Sequence, residues 1–183
     1  MKNNITLFII LFLISGLAQS IISQPNYPTN PKEAELIYTD LENFLEAYDN
    51  LHPEVDSIAV LNQYYFDRAS AGLKEFITRH GLTHELLIDA MQENPEEYEQ
   101  IKEFVNNIEK THNEFLNSLD QFSKVLPNAM YPPTYLLVGA NRGIGQASKL
   151  GQLVTVTRVI DDPDKLMMMI IHELSHFQQA MNV

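Results

Sequence analysis

The stretch Ile170-Ile171-His172-Glu173-Leu174-Ser175-His176-Phe177 places two histidines four residues apart in an apolar run. On an α-helix, residues four apart are separated by about 40° of rotation and about 6 Å of rise, so both imidazoles project from one face. Two neutral imidazoles on one face can bind the same zinc ion. The stretch therefore predicts a metal site on a helix, with His172 and His176 as ligands of Zn2+.

Glu173 completes the pattern H-E-x-x-H, which is the zinc signature of metallopeptidases. Its carboxylate lies next to the histidine face, where it can accept a proton from a water that attacks a carbonyl group. We therefore predict Glu173 as the catalytic general base of a zinc-dependent metallopeptidase whose substrate is a peptide or protein. The opposite side of the helix should be buried through apolar residues at steps of three and four, namely Met167, Ile170, Ile171, Leu174 and Phe177.

A catalytic zinc ion usually has three protein ligands, and the motif supplies two. In the pattern H-E-x-x-H-x-x-G-x-x-H, a glycine and a third histidine would stand where this chain has Gln179 and Asn182. The other large subclass takes a glutamate from a following helix. We expect either that the sequence is the N-terminal part of a longer protein or that the third ligand lies upstream, and we favour the first.

The N-terminus has the features of a secretory signal peptide over residues 1–23. Lys2 provides a positive charge, residues 5–18 are apolar, and small residues around Ser20 suit cleavage. The apolar segment is too short to span a bilayer comfortably, so we expect a secreted or periplasmic protein with no stable membrane anchor after cleavage. Residues 24–31, rich in proline and asparagine, are expected to form a linker.

The composition limits the remaining possibilities. The length of 183 residues, with 45% hydrophobic residues, suits one globular domain, predicted at residues 32–183 and incomplete at its C-terminus. A net charge of -12 and a pI near 4.8 argue against nucleic acid as a partner, because phosphate binding needs a basic surface. The chain has no cysteine, which excludes disulfides and a thiol nucleophile.

The spacing of apolar residues predicts four helices followed by two strands upstream of the motif. The helices are expected at 31–49, capped by Thr29, and at 57–80, 84–92 and 95–123. The strands are expected at 134–138 and 153–159, paired as an antiparallel hairpin around a glycine-rich loop at 139–151. Asp162-Pro163 should then begin the motif helix. The predicted fold class is α+β, with a mainly helical N-terminal part, a β-hairpin and a zinc-binding helix.

The second strand directly precedes the zinc helix, so residues 153–159 are expected to form an edge of the sheet beside the metal. An extended peptide can add to such an edge as a further strand. We therefore predict that Leu153, Val154 and Thr155 bind substrate. The alternative is that this strand only covers the core.

Two further patterns compete with the metal site. His80 and His84 are also four residues apart, but Gly81 separates them, so they are not expected to share a helix or a metal. Residues 137–145, LVGANRGIG, are similar to the glycine-rich turn of short-chain dehydrogenases, yet a strand follows too soon for a crossover helix. A nicotinamide oxidoreductase is thus the least favoured alternative. A catalytically inactive exported helical binding or structural module is the other.

Several blocks of the sequence carry a resemblance to a known family. They are Tyr131-Pro132-Pro133-Thr134-Tyr135-Leu136-Leu137-Val138-Gly139, Gly151-Gln152-Leu153-Val154, His172-Glu173-Leu174-Ser175-His176-Phe177-Gln178-Gln179 and, upstream, Ala71-Gly72-Leu73-Lys74-Glu75-Phe76-Ile77. Together they resemble exported bacterial proteins described as predicted zinc-dependent proteases. The resemblance implies a gluzincin-like peptidase with His172 and His176 as zinc ligands and Glu173 as general base. It places the third ligand in a downstream portion, which this sequence lacks.

Overall fold

The structure, a computed structural model, describes residues 27–181, with side chains described up to residue 179. The predicted signal peptide lies outside the described residues. Within them the chain forms seven α-helices and a four-stranded mixed sheet, which confirms the α+β class. The helices are α1 (Thr39–Asp49), α2 (Ser57–Leu61), α3 (Ala71–His80), α4 (His84–Glu93), α5 (Pro95–Asn106), α6 (Ile108–Val125) and α7 (Pro163–Met181). The strands are β1 (Leu36–Ile37), β2 (Thr134–Leu137), β3 (Gly145–Ser148) and β4 (Gly151–Thr155).

The four strands lie in the order β1, β2, β4, β3. β2 is parallel to both of its neighbours, β1 and β4, whereas β3 is antiparallel to β4. The predicted antiparallel pairing of residues 134–138 with residues 153–159 is therefore wrong. The segment expected to be a loop contains β3, which turns back into β4 through Lys149 and Leu150, so β4 runs in the same direction as β2.

Gly151 allows β4 to start directly beside the start of β2. Its φ is 136°, and a Cβ atom at this position would lie 2.1 Å from the carbonyl oxygen of Pro133. Only glycine fits this combination of backbone angle and close approach. The strand ends at Thr155, and Thr157–Val159 forms a 3₁₀ turn instead of the predicted continuation of the strand.

α3 and α7 pack on opposite faces of the sheet. Successive residues of a strand point to opposite faces, and directly paired residues point to the same face. The pairing register places Tyr135 and Gln146 on one face, where the ring of Tyr135 lies against Gly72 of α3. Gly145 points to the other face and lies against Glu173 of α7. Because His80 at the end of α3 also contacts Gln146, the edge strand β3 is contacted by one helix from each face.

The helix predicted at 31–49 is interrupted by a strand. A 3₁₀ turn at Pro31–Glu33 is capped by the side chain of Asn30 rather than by Thr29, and it leads into β1 before α1 begins. β1 pairs with β2. This long-range pairing overrides the helical spacing of the apolar residues in the segment.

The helix predicted at 57–80 is broken in the middle. α2 continues as a π-helical turn at Asn62–Phe66, and α3 begins after Ser70. Asp40 of α1 is fully buried and accepts hydrogen bonds from the backbone nitrogen of Ser70 at 2.9 Å and from its hydroxyl at 2.5 Å. This contact holds Ser70 in the extended conformation that caps α3, so the chain cannot remain helical there.

Of the other two predicted helices, one is divided and one is confirmed. The one at 95–123 divides at Asn107 into α5 and α6, whereas the one at 84–92 is confirmed as α4. Gly81 ends α3 in the left-handed conformation, with φ of 61°, as its position in the sequence predicts. No helix among residues 27–181 is both long and apolar enough to cross a lipid bilayer.

Two buried tyrosines attach the helices to the end of β2. The hydroxyl of Tyr65 donates to the carbonyl oxygen of Val138 at 2.6 Å and accepts from its backbone nitrogen at 3.2 Å. The hydroxyl of Tyr98 donates to the carbonyl oxygen of Gly139 at 2.8 Å. Burial raises the pKa of both phenols, so both hydroxyls keep the proton that they donate. Together they fix the point at which the glycine-rich segment leaves the sheet.

Candidate metal centre

α7 begins where the sequence predicts and carries the histidine pair on its exposed side. Asp162 caps it by accepting a hydrogen bond at 3.0 Å from a backbone nitrogen of the first turn, which Pro163 opens. His172 and His176 are exposed. The predicted apolar anchor is largely confirmed, because Ile171 is partly buried and the other four residues are buried. The buried residues are Met167, Ile170, Leu174 and Phe177.

The two imidazoles of the pair face each other. Nε2 of His172 lies 3.0 Å from Nε2 of His176, and the ring planes are inclined by 86° with centroids 4.6 Å apart. Two nitrogens that bind one tetrahedral zinc ion at about 2.0 to 2.1 Å lie about 3.3 Å from each other. The observed distance therefore fits a shared zinc ion. It also suits an N–H···N hydrogen bond, so zinc content is the measurement that separates the two.

Glu173 lies on the flank of α7 between the histidine face and the sheet. The residue is only 9% exposed. A Cβ atom added at Gly145 of β3 would lie 2.9 Å from its Oε1 atom, so the glycine leaves room for the carboxylate. The backbone of β3 thereby confines Glu173 at the sheet edge nearest α7.

The residues present fit a zinc site in part. His172 and His176 offer two nitrogen donors of the type that zinc accepts. Among residues 27–181, however, no three side chains of histidine, aspartate or glutamate lie close enough together to hold a metal ion. The described residues therefore show no third side chain grouped with the two histidines.

Leu153, Val154 and Thr155, predicted to bind substrate at a sheet edge, lie in the interior of the sheet. They belong to β4, which is paired with β2 on one side and β3 on the other, and they are 1%, 0% and 3% exposed. The predicted edge at 153–159 is therefore wrong, because both sides of this strand already pair with neighbours. β3 is the edge strand that contacts α7, and its outer side has no strand partner in the described part of the chain.

β3 was missed because its sequence, Gly145-Gln146-Ala147-Ser148, lacks the usual signals of a strand. It has no β-branched or aromatic residue, and alanine is its largest apolar side chain. The available signal is its position, since four residues and a two-residue turn at Lys149 and Leu150 precede the apolar strand β4. A two-residue connection of this kind is the commonest form of β-hairpin.

The glycine-rich segment 137–145 leads into a strand rather than a helix. In a dinucleotide site these glycines open a helix whose N-terminus faces the pyrophosphate. Here β3 begins at Gly145, and α7, at residue 163, is the next α-helix. Asn141 and Gly143 instead adopt left-handed φ angles of 54° and 58°, and the backbone bends along this segment. The segment therefore lacks the element that would bind a nucleotide.

His80, the last residue of α3, contacts β3 from the face opposite α7. Its Nε2 atom donates a hydrogen bond to Oε1 of Gln146 at 2.7 Å. His84 contacts Asn62 instead and lies on α4, so the two histidines belong to different helices, as predicted. No sequence pattern links residues 80 and 146, because the contact joins positions 66 residues apart.

Comparisons with protein-family profiles, with curated proteins and with solved structures gave no match for this chain. The resemblance to exported zinc-dependent proteases therefore stays a prediction that rests on the quoted blocks. The case for a function rests on the histidine pair, Glu173 and the adjacent edge strand.

Proposed function

We propose that this protein is a zinc-dependent metallopeptidase that acts outside the cytoplasm, in the periplasm or as a secreted enzyme. The observation that carries the proposal is the 3.0 Å approach of the Nε2 atoms of His172 and His176 on the exposed side of a buried helix. Glu173 follows directly on the flank that contacts the sheet edge. Two imidazoles and a neighbouring carboxylate in this spacing favour Zn2+ and hydrolytic chemistry.

The position of β3 supports an extended peptide or protein segment as substrate. An edge strand offers backbone donors and acceptors to which a peptide can pair. Because Gly145 lies directly against Glu173, a peptide paired with the outer side of β3 would run beside the carboxylate. This role, first predicted for Leu153, Val154 and Thr155, moves to the neighbouring strand.

In the proposed mechanism, His172 and His176 would hold the zinc ion. Zinc held there would polarise the scissile carbonyl and lower the pKa of the attacking water. Glu173 accepts the proton of that water and passes it to the leaving amine. The backbone at Gly145 restricts the carboxylate, which keeps this base in one place during the transfer.

His172 and His176 would supply two of the three protein ligands that a catalytic zinc site usually has, which leaves the position of the third. A gluzincin-like centre would use a carboxylate in this position. Location outside the cytoplasm is supported by the signal-peptide features of residues 1–23. The net charge of -12 supports a partner other than nucleic acid.

The alternative is an exported helical binding or structural module without catalytic activity. The lack of a third ligand among the described residues favours it. In that case the two imidazoles share a hydrogen bond, and α7 serves only to close the core.

Zinc content and peptide hydrolysis test the proposal on protein purified without chelators. We expect about one zinc ion per chain, and the loss of zinc in His172→Ala and in His176→Ala. Glu173→Gln should keep the zinc and lower kcat by about 10² to 10⁴-fold, which is the usual contribution of a general base. His84→Ala, a histidine on another helix, is the control and should retain both properties.

The two readouts separate the possible failures. Wild-type protein with no stoichiometric zinc would refute the metallopeptidase and leave the inactive module. Full hydrolysis by Glu173→Gln would refute the role of this carboxylate while leaving the metal site in place.

A further inference from the structure

We propose that His80 is a positioning residue for the substrate-binding edge, which it holds against α7 from the opposite face of the sheet. The inference rests on the proposed function, because β3 matters to catalysis only if a peptide pairs with it. It assigns a role in substrate binding to a residue far from the zinc motif in sequence.

His80 contacts the chain on both sides of the segment that lies against Glu173, the proposed general base. Its Nε2 atom donates to Oε1 of Gln146 at 2.7 Å. Its ring also lies against Gly143, where a Cβ atom would come within 2.6 Å of Cε1. Gly143 and Gln146 flank the dipeptide of Ile144 and Gly145. One imidazole therefore contacts the chain on both sides of the residue that touches Glu173.

The opposite side of the same dipeptide rests on α7. A Cβ atom at Gly145 would lie 2.9 Å from Oε1 of Glu173 and 3.1 Å from Cγ of Met169. β3 is thus held between the imidazole of His80 and the flank of α7. A loss of either contact would let the strand shift relative to the carboxylate.

His80 is itself held firmly. Its ring packs against Phe76, with ring centroids 4.5 Å apart, and Phe76 is almost completely buried. Its carbonyl oxygen accepts a hydrogen bond from Arg142 at 3.3 Å, which ties the end of α3 to the glycine-rich segment. Because this side chain is anchored, it can hold β3 at a fixed position relative to α3.

An edge strand needs such support more than an inner strand does. β3 has only four residues and pairs with β4 alone among the described strands. Residues 145–147 are partly exposed, whereas all five residues of β4 are buried. Short, exposed strands open locally at low free energy, so side-chain contacts decide how often β3 is in place to receive a peptide.

Hydrogen exchange and steady-state kinetics on the zinc-loaded enzyme test the role of His80. We expect His80→Ala to speed exchange of the β3 amides that pair with β4 by about three- to tenfold, the effect of one lost hydrogen bond. KM for a peptide substrate should rise by a similar factor, while kcat stays within about twofold and zinc content is unchanged. Gln146→Ala should give the same changes, and His80→Gln, which restores an N–H donor, should reverse most of them.

His84→Ala is the matched control. The ring of His84 also packs against a phenylalanine, Phe66, at 4.1 Å, and its Nε2 atom also lies 3.3 Å from an amide oxygen, that of Asn62. The control should therefore lose comparable contacts without changing β3 exchange or KM.

The outcomes separate this inference from the proposed function. Unchanged β3 exchange in His80→Ala would overturn the positioning role, whatever the activity. Faster exchange spread equally over α7 and β4 would also overturn it, because that pattern reports general destabilisation. Faster β3 exchange with an unchanged KM would refute the link to substrate. Wild-type protein without zinc or hydrolysis would instead refute the peptidase itself.

Discussion

Replacing Gly145 with alanine is expected to displace the carboxylate of Glu173 and leave the fold intact. The added methyl group would lie 2.9 Å from Oε1 and 3.0 Å from Cγ of Glu173, whereas ordinary contacts begin at 3.4 Å. The carboxylate must therefore move by about 0.5 Å. It can move because the atoms in the way belong to a flexible side chain rather than to backbone.

The expected size of the effect follows from that displacement. A misplacement of about 1 Å at a reacting group can lower the rate by about 10²-fold, so a shift of half that size should lower kcat by about tenfold. A tenfold change corresponds to about 1.4 kcal/mol of transition-state stabilisation. The free energy of unfolding should fall by only about 1 kcal/mol, the low end of the cost of overpacking. Zinc content should not change, because the atoms nearest to the added methyl group belong to Glu173 and Met169.

Gly139→Ala provides a control of equal crowding in a different place. A Cβ atom at Gly139 would lie 2.9 Å from Cγ2 of Thr155 and 3.2 Å from Cζ of Phe76, both in the core. This variant should lose about 1 to 3 kcal/mol of stability and keep its kcat. Urea unfolding, zinc analysis and peptide hydrolysis compare the two variants. A Gly145→Ala enzyme with wild-type kcat, or one that loses kcat only in proportion to its folded fraction, would refute the reasoning.

Two further predictions concern the framework around the site. Tyr65→Phe removes a hydroxyl that makes two hydrogen bonds to Val138, whereas Tyr98→Phe removes one hydrogen bond to Gly139. Urea unfolding should show that the free energy of unfolding falls by about 2 to 4 kcal/mol in Tyr65→Phe and by about 1 to 2 kcal/mol in Tyr98→Phe. Equal losses in the two variants would contradict this account. Burial raises the pKa of Asp40 above its usual value of 3.8, so the folded state binds the carboxyl proton more tightly than the unfolded state does. The stability that protonated Asp40 contributes is therefore lost as pH rises from near 3.8 through the raised pKa. Asp40→Asn should remove this loss of stability. The free energy of unfolding of the variant relative to the wild type should therefore increase between about pH 4 and about pH 7. A difference that stays constant over this range would argue against the prediction.

The parts of the fold that the sequence could predict are those encoded by neighbouring residues. The start of α7 follows from Asp162 and Pro163, and its burial follows from the spacing of apolar residues on one side. The end of α3 follows from Gly81. The positions of His172 and His176 on one exposed face required only the geometry of a helix.

The parts that could not be predicted depend on contacts between distant residues. Ser70 interrupts a helical pattern because Asp40, thirty positions away, accepts its hydrogen bonds. Gly145–Ser148 is a strand because β4 pairs with it, not because its residues prefer that conformation. The substrate edge was therefore assigned to β4, whose sequence has the strand signal, and not to β3, which holds the edge position.

The pairing of β1 with β2 has a consequence for how the molecule comes together. Leu36 aligns with Thr134, about a hundred positions later, so a chain growing from its N-terminus carries β1 unpaired for most of its synthesis. Such distant partners slow folding, since a long segment must be ordered before the pairing forms. α7 comes later still in the sequence, and it packs on β3 and β4. The candidate site therefore combines a helix with strands whose sheet includes one of the most distant pairings in the described chain.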